Sequence, residues 1–181
     1  MSSAAKKVIE KIESEGHIML VGPKKGKVLV DVVKDKKPKR ILEIGTYVGY
    51  SAILMAEAVG ANTKIVTIEV DPENAEIARE NIKKAGFEDR VEIKVGYAKE
   101  LIPTLSATFD FMFIDAAKED YLDYLKLAEG NLQNGAVVVA DNVKIFKEDM
   151  GDFLEYVRES GKYKSTTHDV GSDALEVSIK K

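Results

Sequence analysis

The 181 residues include no cysteine, no tryptophan, only two histidines (His17 and His168) and four prolines. Without cysteine there is no disulfide framework, no thiolate metal site and no cysteine nucleophile. Two histidines are too few for a multi-histidine zinc centre. Nor is there an apolar run near the roughly 18 residues a membrane span needs. The first 16 residues mix charged and apolar positions instead of forming a signal sequence, so a cytoplasmic protein is expected. What remains for chemistry is carboxylates, amides, lysines, hydroxyls or a borrowed cofactor.

Charge is plentiful and uneven. The chain carries 27 Lys and Arg against 31 Asp and Glu, a net of −4. Residues 1–40 alone hold 11 basic and 5 acidic side chains, a net of +6. That front is either a solvated surface or a contact for an anionic partner such as tRNA.

Helix and strand patterns alternate along the chain. Val8, Ile9 and Ile12 mark an amphipathic first helix ending near Gly16. Residues 18–26 read as a loop with a Gly-Pro turn, and a second helix is expected from Lys27 to about Asp35. Strands are expected at 40–45, 64–69, 91–95, 109–114 and 136–140. Helices are expected at 50–59, 72–85, 118–130 and 147–160. The helix from Pro72 is well punctuated, with Asp71 before it, Lys83 and Lys84 in its last turn and Gly86 after it. Two closing strands, 162–169 and 174–180, flank the hairpin signal Val170-Gly-Ser-Asp173. Fully apolar strands such as Val137-Val-Val-Ala140 suit a buried parallel sheet. The expected fold is therefore α/β, a three-layer, doubly wound, Rossmann-like sandwich with a mostly parallel sheet and an antiparallel C-terminal hairpin. It is read as one domain over 1–181, with N-terminal helices and a covering loop in 1–36 and the α/β core in 37–181.

In such sheets a ligand sits beyond the carboxyl ends of the strands. Gly45 and Gly49 there permit a tight turn into a helix, but their G-x-x-x-G spacing lacks the third glycine of a dinucleotide site. Glu69, ending the second strand, is placed to accept from a ribose diol. Asp115, Asp141 and Asn142 bring hard oxygen donors from adjacent strand ends, which suits Mg²⁺ or a similar cation. Lys118, three residues past Asp115, is a candidate general base. The alternatives are that Asp141-Asn142 caps a turn and that Lys118 only neutralises Asp115.

Taken in order, MLVGPKKG (19–26), LEIGTYVGYSAILMA (42–56), TIEVDP (67–72), IDAAKEDY (114–121), VADNV (139–143) and DFLEYVR (152–158) make the chain resemble a known family. It is similar to class I S-adenosylmethionine-dependent methyltransferases, within them the cation-dependent O-methyltransferases typified by catechol O-methyltransferase. The resemblance implies a seven-stranded sheet and cofactor contacts from Met19, Val21, Glu43, Gly45, Tyr47, Ser51, Glu69, Ala98 and Asp115. It implies magnesium ligands at Asp115, Asp141 and Asn142, and a general base at Lys118. The implied substrate is a small hydroxylated aromatic, with a hydroxylated nucleoside of tRNA, or cofactor binding without catalysis, as alternatives. Ala116 and Ala117 stand where the catechol enzyme has a histidine and a tryptophan, which implies a wider, less aromatic pocket. The family's carboxylate for the second hydroxyl has no counterpart here, and its role is not carried onto Glu176.

Overall fold

The computed structural model describes residues 1–181. Five parallel strands come first: β1 (Arg40–Ile44), β2 (Lys64–Glu69), β3 (Val91–Val95), β4 (Phe109–Ile114) and β5 (Leu132–Ala140). An antiparallel pair, β6 (Tyr163–Val170) and β7 (Asp173–Lys180), completes the sheet through β5. The order is β3-β2-β1-β4-β5-β7-β6, so it reverses between β1 and β4. A seven-stranded, mostly parallel α/β sheet with a C-terminal hairpin is therefore observed, as expected.

Alternate strand residues face opposite layers even though both faces are buried. Ile41, Ile65, Phe111, Phe113 and Val139 pack under α1 (Ser3–Ser14), α2 (Gly22–Lys36), α3 (Tyr50–Ala58) and α4 (Pro72–Lys84). Leu42, Ile68, Met112, Ile114 and Val138 pack on the other face. There they meet the short α5 (Ala98–Leu101), then α6 (Tyr121–Ala128) and α7 (Gly151–Glu159). No helix is long and apolar enough to cross a membrane.

Local rules explain most boundaries. The Asp71 carboxylate accepts from the backbone N–H of Glu73 and Asn74 and starts α4, as its position suggested. The segment before α3 departs from expectation. Helix α2 begins at Gly22, not Lys27, because Pro23 falls in its first turn, where a missing N–H costs nothing. Gly26 does not break that helix; a Cβ there would stand 2.9 Å from Leu54, so its bareness lets α2 lie close on α3. Strand β5 also starts four residues early, at Leu132, across a register shift opposite Phe109 and Phe111. The helix expected over 118–130 is α only from Tyr121 to Ala128, with a 3₁₀ turn at each end. The one expected over 147–160 begins only at Gly151, after a run of turns, and α5 went unread because four residues carry no periodicity.

Candidate active site

Four strands, β1, β2, β4 and β5, end at the point where the sheet order reverses, and a cavity of about 840 Å³ opens there. Its apolar walls carry a few converging polar groups, the usual make-up of a small-molecule site. Met19, Gly45, Tyr47, Glu69, Ala98 and Asp115 line it, as do Lys118 and Asn142. Most of the residues singled out in the sequence thus converge on one space. Val21, Glu43, Ser51 and Asp141 are not among its lining. Val21 is buried in the core, while Glu43 in β1 and Ser51 in the first turn of α3 are buried on either side of the β1–α3 connection.

Backbone geometry at that turn is tight. Gly45 has φ of +97°, and any Cβ on it would overlap the carbonyl of Asp115. Only glycine lets the end of β1 approach the end of β4 so closely. Tyr47, with φ of +49°, donates its N–H to Glu69 at 2.7 Å, and Asp71 N–H donates to the other carboxylate oxygen at 3.0 Å. Glu69 is therefore held rigidly by two backbone donors with lone pairs left over for a ligand diol.

Glu43 is the electrostatic anomaly. Neither of its carboxylate oxygens has a hydrogen-bond partner, although the side chain is wholly buried. Its register neighbour Thr67 is bonded to Thr46 instead, at 2.6 Å. Burial pushes the Glu43 carboxyl up to about 7, the nearby Ser51 and Thr67 hydroxyls pulling the other way. A buried polar group left without partners asks for a ligand or a water.

At the β4 and β5 ends the carboxylates are compensated by lysines. Lys118 Nζ donates to Asp115 at 2.9 Å and to the Tyr121 hydroxyl at 2.8 Å. Tyr121 in turn donates to the Asp141 carbonyl at 3.3 Å. Asp141 is almost fully buried, and Lys25 reaches both its oxygens, at 2.7 Å and 2.8 Å. Burial and the nearby Asp115 charge push Asp141 up to about 7 despite Lys25. Asn142, with φ of +63°, donates its amide to Asp173 at 2.8 Å. No group of three or more His, Cys, Asp or Glu is gathered as a metal cage. The donor set is two carboxylates and one amide, all hard oxygens, which fits a cation that keeps water or substrate in its remaining positions.

Sequence reasoning missed several participants. Lys25 lies inside the quoted segment 19–26, but nothing local says that it reaches β5. Ile145 and Phe146 come from the turns after β5, and Tyr97 from the end of β3; all three line the cavity. Tyr97 and Phe146, with Tyr47 and Tyr124, give the cavity an aromatic lining even though Ala116 and Ala117 leave part of its wall bare. Lys99, next to Ala98, pairs with Asp120 at 2.7 Å. Glu176 is engaged by Arg158 through two bonds of 2.8 Å, so it is not free for a substrate.

The chain is similar to known proteins over most of its length. The family model described as O-methyltransferase matches residues 3–155. Catechol O-methyltransferase of Sus scrofa is 41% identical over 155 residues, covering 82% of this chain and 82% of that protein. Catechol O-methyltransferase B of Danio rerio is 41% identical over 154 residues, covering 81% of this chain; the chain matches only 58% of its length. The O-methyltransferase TomG of Streptomyces achromogenes, solved in complex with SAM, superposes with a TM-score of 0.88 at 30% identity. That match covers 100% of this chain and 91% of that one.

Proposed function

The chain belongs to the O-methyltransferase family, and from there we propose that it moves a methyl group from S-adenosylmethionine to a hydroxyl of a catechol-like small molecule, aided by Mg²⁺. The single observation that carries this reading is the convergence of Glu69, Asp115, Lys118 and Asn142 on one cavity at the strand ends. The orphaned Glu43 carboxylate beside the β1 turn supports a cationic ligand, which the amino group or sulfonium of the cofactor would supply.

Each residue then has a task. Glu69 accepts hydrogen bonds from the ribose hydroxyls, and the 17–21 segment covers the methionine portion. Within that segment Ile18 is 95% exposed and Met19 61% exposed, apolar surface that a bound cofactor would cover. Asp115, Asp141 and Asn142 would hold the cation. When bound, the cofactor would supply an electrophilic methyl on sulfur and the cation would supply Lewis-acid polarisation of the acceptor. Lys118 accepts the proton of the reacting hydroxyl, and the Tyr121 hydroxyl 2.8 Å away steadies its amine. Tyr97, Ile145 and Phe146 wall the acceptor and exclude water, so that most of the rate comes from positioning. A reducing, cytoplasmic setting and a single domain over 1–181 go with this reading; cysteine-free composition is compatible with the first.

The test is an acceptor screen with labelled cofactor over catechols, caffeoyl-type esters and tRNA, run with and without chelator. Catechol methylation lost with chelator and in Asp141→Ala is expected. Metal-independent turnover that survives Asp141→Ala would remove the cation from the mechanism, and tRNA labelling alone would replace the substrate class.

A further inference from the structure

Lys25, on the first turns of α2, is the basic residue of the N-terminal region that reaches the β5 end. Its ammonium contacts both oxygens of Asp141 and lies 2.7 Å from Asp173 Oδ2, which begins β7. Asn142 donates to that same Asp173 oxygen. The Lys25 side chain is 12% exposed and that of Asp173 10%, so water screens this pair little. The residues that would hold a cation are therefore bonded to a lysine on one side and, through Asn142, to its balancing aspartate on the other.

Around Asp141 the carboxylates of Asp115 and Asp173 are set against the Lys25 ammonium. We propose that the Lys25–Asp173 pair is a built-in charge balance that sets how tightly Asp141 and Asn142 hold a divalent cation. The inference rests on the cation reading above. Lys25 alone, so close to a ligand carboxylate, repels a second cation; Asp173 cancels that repulsion while orienting Asn142. An exposed pair would be worth little, but a buried one acts at low effective dielectric. Balanced in this way, the site takes the cation reversibly instead of keeping it.

Calorimetric titration of MgCl₂ into protein saturated with S-adenosylhomocysteine, at fixed ionic strength, tests this without turnover. Lys25→Met is expected to tighten the cation Kd by roughly tenfold and Asp173→Asn to weaken it by roughly tenfold. The double variant, again neutral as a pair, should return to within about threefold of the parent. Asp173→Asn keeps the side-chain shape, so it decides the matter even if Lys25→Met does not fold. Weakening in both single variants, the mark of a purely packing role, overturns the proposal, as do changes below about twofold in both. Absence of saturable Mg²⁺ binding in the parent protein overturns the cation reading itself, and the proposal with it.

Discussion

Gly45 and Asp115 meet backbone to backbone: a side chain on Gly45 would occupy the position of the Asp115 carbonyl oxygen. The contact joins the end of β1, which opens the cofactor turn, to the end of β4, which carries the acidic cation candidate. Gly45→Ala combines a clash with backbone and a disfavoured φ. It should destabilise the fold by roughly 3 kcal/mol, read by urea unfolding, and abolish cofactor binding.

Glu69 offers a cleaner probe of cofactor recognition. Glu69→Gln keeps the volume but removes the charge that a ribose diol would donate to. S-adenosylhomocysteine affinity should fall by roughly tenfold to a hundredfold in calorimetry, the worth of one charged hydrogen bond. Unchanged affinity would exclude Glu69 from the cofactor site.

Lys118→Met separates chemistry from binding. Cofactor affinity should stay near that of the parent while kcat drops by roughly a hundredfold to ten-thousandfold, the share of a general base. Parallel loss of both would mean that Lys118 only holds Asp115 in place.

Glu43 makes a prediction about pH. Its buried carboxyl titrates near 7 against an ordinary 4.5, so the folded state keeps a proton the unfolded chain has already lost. The stabilising contribution is present below about 4.5 and is lost as pH rises through about 7. In cofactor-free protein, Glu43→Gln should therefore gain stability over the parent between pH 5 and pH 8, by roughly 2 to 3 kcal/mol in urea unfolding. Asp141, raised by the same causes, leaves part of the slope in the variant. A pH-independent difference would show that Glu43 is already satisfied.

Phe146 is 40% exposed beside the cavity, with Lys118 Nζ 5.9 Å from its ring centre. Phe146→Ala should raise KM for an aromatic acceptor by roughly threefold to thirtyfold, with little change in cofactor affinity, as expected for loss of one apolar wall. An unchanged KM would put the acceptor elsewhere in the cavity.

Much of this site was legible in the sequence because its residues follow strands. Once β1, β2, β4 and β5 are recognised as buried and parallel, their terminal residues must share one edge of the sheet. Gly45, Glu69, Asp115 and Asn142 come together by that rule alone. The start of α2 was misread because Gly22-Pro23 marks a helix entry as readily as a turn, and neighbouring residues do not tell the two apart.

Residue patterns alone were enough for the order of the strands, the α/β class and the acidic strand ends, since periodicity and capping act over a few residues. Tertiary structure decided which distant groups meet. Lys25 and Asp173 are 148 positions apart, and they touch only because β7 inserts antiparallel beside β5 while α2 packs over the same edge. The sheet order likewise decided that Glu43 is sealed without a partner and that Phe146 and Tyr97 line the same cavity. Such contacts depend on strand order and side-chain direction across non-neighbouring elements, which no local pattern records.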